Sequence, residues 1–153
     1  GIPTCAHLGL TPQSVNKFGG YRVQGRDTDQ AKQIIYDAKS LEEAGADLLV
    51  LECVPTPLAT EITRSLRIPV IGIGAGPNTD AQVLVLYDML GLTPNLRPKF
   101  VKRYAELFEA GRLAAAMYVD EVRVGVFPGP EHTFGASKTE SAAAAAAGYG
   151  PRD

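Results

Sequence analysis

Cysteine is scarce in this sequence: Cys5 and Cys53 are the only two, and no CxxC pair joins them. That excludes a disulfide-stapled scaffold and a thiolate zinc site. Both lie in apolar runs, which predicts buried thiols in a reducing compartment. An excess of charge of either sign is also missing. A net charge of -2 and a pI near 5.7 give no electrostatic footing on nucleic acid or on an acidic membrane surface. No apolar stretch is long enough to span a bilayer and no signal peptide is recognised, so the expected location is the cytoplasm. Internal repeats are absent. What is present is an ordinary globular composition, 45% apolar and 21% charged over 153 residues, enough for a domain with a sizeable core.

The organising stretch is Leu48-Leu49-Val50-Leu51-Glu52-Cys53-Val54-Pro55. A short apolar run closed by proline predicts a strand buried on both faces, as in a parallel sheet. Around it the same grammar repeats. Ile2 to Leu8 is a strand candidate, and Thr11-Pro12 a helix start followed by a glycine-rich loop through Arg26. Asp27 or Thr28 can cap a helix whose apolar face is Ala31, Ile34, Ile35, Ala38 and Leu41, with Gly45 as its stop. Thr56-Pro57 opens another helix, and Ile68 to Gly74 is another buried strand. Strand, helix and strand in so few residues make a βαβ unit. Val83 to Tyr87 reads as a third strand, though a helix through Met89 fits nearly as well. Phe100, Tyr104, Leu107 and Phe108 predict an amphipathic helix; Leu113, Met117 and Val122 predict a second after Gly111. Phe127 to His132 is irregular. Residues 137–153, with six consecutive alanines and no apolar stripe, are expected to be a disordered tail, leaving 1–136 as the folded part.

Glu52 falls where its strand leaves the core, and the C-terminal strand ends of barrel and open α/β enzymes carry the chemistry. A carboxylate among apolar neighbours there can serve as a base; the alternative is a structural glutamate paired with a lysine or arginine. His7, at the end of the preceding strand candidate, would converge on the same mouth if the sheet closes as a barrel. The alternative is a histidine bonded to a backbone carbonyl. Gly72-Ile73-Gly74-Ala75-Gly76 could let a ligand approach the backbone, but its spacing is not the dinucleotide fingerprint, and close packing explains the glycines equally well. Asp80 and Asp88 lack an obvious partner carboxylate for a divalent site. Lys17, Arg22, Arg26, Lys99, Lys102 and Arg103 read as solvated faces, and His132 as a packing residue.

Taken in order, several of these stretches resemble the ketopantoate hydroxymethyltransferase family. They are Cys5 to Ser14, Gly19 to Arg26, Ala44 to Pro55, Ile68 to Gly76, Pro98 to Phe100, and Phe127-Pro128 with Glu131 to Phe134. The resemblance implies a (β/α)8 TIM barrel and a large homo-oligomer, a decamer being the size in view. It implies hydroxymethyl transfer from 5,10-methylenetetrahydrofolate to 3-methyl-2-oxobutanoate, giving 2-dehydropantoate by way of a magnesium-stabilised enolate. By motif, Glu52 is the catalytic base and His7 a substrate contact. The match starts at what looks like the fifth strand, so the chain is expected to hold strands 5–8 and the C-terminal helices, beginning in mid-domain. The Mg2+ ligands are then expected in an N-terminal half, with none in this segment. The rivals are a metal-dependent keto acid carbon–carbon lyase on the same barrel, a non-catalytic assembly fragment, and a nucleotide-binding α/β domain resting on Gly72 to Gly76.

Overall fold

The computed structural model describes residues 1–11 and 22–135. Gly1–Ala105 forms one unit, built from β1 (Cys5–Gly9), α1 (Thr28–Glu43), β2 (Leu48–Glu52), α2 (Thr56–Ser65), β3 (Val70–Ile73), β4 (Ala81–Gln82) and α3 (Leu86–Met89). The four strands make one sheet in the order β1-β2-β3-β4, and every neighbouring pair is parallel. Strands that advance in one direction without reversal, with α1 joining β1 to β2 and α2 joining β2 to β3, form a parallel α/β sheet consistent with a barrel family.

Side-chain alternation gives the sheet two different faces. Leu49 aligns with Ala6 and Val70, and Leu51 with Leu8 and Gly72. Leu49, Leu51 and Val70 are completely buried, packed with Ala38 of α1 and with Leu58, Ala59 and Ile62 of α2. Both long helices of this unit therefore cover the same face. The opposite face carries His7 and Gly9, Val50 and Glu52, and Ile71 and Ile73, most of them only half buried.

The helix boundaries follow local chemistry. The Asp27 carboxylate accepts the Gln30 amide at 2.9 Å and caps α1. Gly45, at φ +98°, lets the chain turn out of α1 into β2. Glu42, near the end of α1, accepts the amides of Arg67 and Ile68 at 2.6 and 3.1 Å and so anchors the approach to β3. The Arg67 amide is the main cause holding that carboxyl below the usual glutamate range. In α2 the cap position belongs to Pro55, not to Thr56, and Pro57 is already inside the first turn.

Several expectations are corrected. The strand at Val83 to Tyr87 is displaced: Ala81 and Gln82 pair with β3, the Val83 amide still reaches the Gly72 carbonyl, and Leu86 to Met89 is helical. A short apolar run fits either period, and only the partner strand decides. Residues 99–106 are not helical. The Tyr104 amide is taken by the Met89 carbonyl and Arg103 donates to the Thr93 and Leu96 carbonyls, so Arg103 pins a loop rather than decorating a solvated face. Cys5 is exposed; Cys53 is buried. The Thr11-Pro12 helix start from Pro12 on, most of the glycine-rich loop with Lys17, and the alanine-rich tail lie outside the described residues.

The second unit, Glu106–Asp153, contains α4 (Leu107–Val124) and a 3-10 turn at Pro130–His132. The two helices expected on either side of Gly111 are one. A glycine inside a helix costs about 1 kcal/mol, a penalty that the run Leu113 to Met117 can absorb. Gly125, at φ +76°, ends α4. The Phe127 ring meets Tyr118 edge-on at 5.4 Å and the His132 ring at 5.0 Å, and His132 Nδ1 accepts the Gly129 amide at 3.1 Å. Every residue of α4 is exposed. Among the described residues no helix is long and apolar enough to cross a membrane.

The core is small, so truncating its centre should be costly. Ile62→Ala is expected to lower stability by about 2–5 kcal/mol, read as a drop in the urea unfolding midpoint; a change under about 0.5 kcal/mol would mean that Ile62 does not anchor α2 to the sheet.

Candidate active site

Glu52 is the last residue of β2, on the sheet face away from the helices, and its register partners are Gly9 of β1 and Ile73 of β3. His7 lies two residues before Gly9, opposite Val50, and so shares that face. The expectation that it ends its strand is off by those two residues, yet its reach closes the gap. His7 Nε2 stands 3.1 Å from Glu52 Oε2, with the side chains 30% and 15% exposed. Among the described residues the partner of Glu52 is thus a histidine, and the partner of His7 is a carboxylate.

The backbone around the pair is tightly held. The Leu10 amide donates to the Glu52 carbonyl at 2.8 Å, and Gly9 lies so close that a Cβ built on it would be 2.1 Å from that oxygen. At φ +91° Gly9 is also in a region that L side chains rarely adopt. The next residue after Glu52, Cys53, adopts φ +50° although it is not glycine. Such a conformation costs of order 1–3 kcal/mol and persists only where surroundings enforce it. Here the Cys53 amide donates to the Ile73 carbonyl and its own carbonyl accepts the Gln24 amide, both at 2.9 Å. Val54 then lies in the helix-side core while Glu52 keeps the other face.

The remaining candidates separate from this pair. The Asp80 carboxylate accepts the Val70 amide at 2.8 Å and tethers β4 to the start of β3; Asp88 lies in α3. His132 belongs to the other unit. In the glycine motif, a Cβ on Gly72 would meet Thr79, one on Gly74 the Phe100 ring and Cys53 Sγ, and one on Gly76 Thr56. Close packing accounts for all three. Among the described residues no three His, Cys, Asp or Glu side chains come together. Sequence reasoning missed the strained turn at Cys53 and the close approach at Gly9. A glycine directly before a buried leucine at a strand end was the only available signal for the latter.

Burial pushes the Cys53 thiol up from 9.0 to about 11, with the neighbouring Glu52 charge adding to it. The folded protein then keeps a proton that the unfolded chain releases. Stability from this group is complete below pH 9 and declines as pH rises towards about 11. Urea midpoints measured across that window should fall, and Cys53→Ala should flatten the fall; an unchanged slope in the variant would assign it to other groups.

A family model described as ketopantoate hydroxymethyltransferase matches residues 1–130. The 3-methyl-2-oxobutanoate hydroxymethyltransferases of Shewanella pealeana and Shewanella halifaxensis are each 59% identical over 134 residues, covering 88% of this chain and 51% of theirs. That of Shewanella amazonensis is 57% identical over the same span. The chain spans about half the length of the curated relatives it matches. This coverage corrects the barrel assignment: the support extends to a parallel α/β sheet and half of a relative's length, not to numbering the strands as the second half with the C-terminal helices.

Proposed function

The chain belongs to the ketopantoate hydroxymethyltransferase family, and we propose that, within its whole protein, it carries the base for hydroxymethyl transfer from 5,10-methylenetetrahydrofolate to 3-methyl-2-oxobutanoate. The observation that carries this reading is the His7–Glu52 pair at the C-terminal end of a parallel strand. His7, with its proton on Nε2, donates to Glu52 Oε2 and leaves Oε1 to take the proton. That proton comes from the carbon next to the keto group. The carbanion left behind forms the new carbon–carbon bond with the methylene carbon, that carbon's two bonds to folate nitrogens break, and one water supplies the hydroxyl, so that 2-dehydropantoate and tetrahydrofolate result. The low exposure of Glu52 keeps bulk water from competing for Oε1, while the more exposed His7 ring is placed to touch the keto acid.

Magnesium, which the resemblance implies, would polarise the keto acid when bound. In this reading its ligands come from the rest of the protein. The sheet face bearing His7, Val50, Glu52 and Ile71 would then be the inner wall of a (β/α)8 barrel that the rest of the protein closes. Assembly as a homo-oligomer, up to a decamer, and a cytoplasmic location belong to the same proposal.

The test uses the full-length protein and the exchange of the keto acid's C3 proton with deuterated water, followed by NMR. Glu52→Gln should slow exchange by about 10²- to 10⁴-fold while preserving the urea midpoint. Exchange at the original rate would remove Glu52 from the role of base. His7→Asn should raise the KM for the keto acid more than it lowers kcat; a pure loss of kcat would make His7 a positioning group only.

A further inference from the structure

Just past the end of β3 lies a hollow of about 510 Å³, and the functional reading above does not use it. Gly74, Gln82, Met89, Phe100, Lys102 and Tyr104 are among its walls. It begins at Gly74, next to Ile73, the register partner of Glu52, so it opens beside the same strand ends. Phe100 and Tyr104 are 37% and 67% exposed, an aromatic wall with unburied surface. Gly74 is what seats that wall: a Cβ there, at φ +63°, would come within 3.0 Å of the Phe100 ring.

Two polar groups give the hollow a chemical character. Gln82 Nε2 donates to the Gly76 carbonyl at 2.9 Å and to Thr79 Oγ1 at 2.7 Å. Both amide hydrogens are thereby committed, and what Gln82 has to offer a ligand is its carbonyl oxygen. Lys102 Nζ sits 4.8 Å from the centre of the Tyr104 ring, holding a cation at the aromatic wall. An oriented acceptor, flat ring faces and a cation together select a planar ring that carries N–H donors and an anionic tail.

We propose that this hollow binds the non-reacting part of the one-carbon donor, its amino-substituted pyrimidine and aminobenzoyl rings, with the glutamate tail towards Lys102. The assignment rests on the hydroxymethyl-transfer reading. Gln82 accepts from the ring N–H groups, Phe100 and Tyr104 take the ring faces, and the Lys102 ammonium meets a carboxylate. Donor and keto acid would then approach neighbouring strand ends, β3 and β2, as a bond-forming pair must.

The experiment titrates full-length protein with tetrahydrofolate, which lacks the one-carbon unit, and in parallel with 3-methyl-2-oxobutanoate. Lys102→Gln changes an exposed side chain and Phe100→Leu keeps an apolar filler, so both should fold. Each should raise the Kd for tetrahydrofolate by about five- to ten-fold and leave that for the keto acid in place. Unchanged tetrahydrofolate binding in both variants overturns the proposal, as does a matched loss for both ligands, which would mean that the residues only hold their loop. Unmodified protein that exchanges the keto acid proton but does not bind tetrahydrofolate overturns the donor site alone. Unmodified protein that exchanges nothing overturns the functional reading beneath it.

Discussion

The end of β2 is held by three backbone hydrogen bonds, and the rest of the site depends on them. The Leu10 amide takes the Glu52 carbonyl, the Cys53 amide takes the Ile73 carbonyl, and the Gln24 amide takes the Cys53 carbonyl. Together they force Cys53 into a left-handed conformation that an isolated chain would avoid. With the strand's alternation broken at that residue, Val54 packs into the core and Glu52 stays on the opposite face. A softer turn would leave the carboxylate without a fixed direction, and His7 would have nothing to hold.

The sheet divides its labour by parity. Odd and even positions along β2 go to different environments: Leu49 and Leu51 to the helices, Val50 and Glu52 to the other side. The helix side is a dry core that α1 and α2 seal. The other side keeps most of its residues half buried and carries the His7–Glu52 pair, an arrangement typical of parallel strands whose second face is meant to be covered. The same parity explains how His7 meets Glu52 without being at its strand's end. Both sit on one face, and the intervening Gly9 has no side chain to stand between them.

Glycine is where local and tertiary meanings diverged. The run Gly72 to Gly76 looks like a ligand cradle on the page, yet each glycine is needed by a protein neighbour: Thr79, Phe100 or Thr56. Through Phe100, one of them still shapes a hollow beside the site. Gly111, by contrast, reads as a break and is none, since a single glycine penalty is smaller than the gain of continuing α4 through good helix formers.

What the sequence determined by itself was periodicity and punctuation. The Leu48–Glu52 strand, a cap at Asp27 or Thr28, the Gly45 stop and the approach of Glu52 and His7 to one another all follow from patterns a few residues long. The family membership was legible too, in the order of its motifs. Only the tertiary structure decided whether Val83 to Tyr87 would be strand or helix, where Arg103 would spend its guanidinium, and what would press Cys53 into its turn. Each of those outcomes hangs on a partner outside its own segment: Gly72 for Val83, Thr93 for Arg103 and Ile73 for Cys53. A local pattern encodes its own period, but not which remote carbonyl will accept its hydrogen bond.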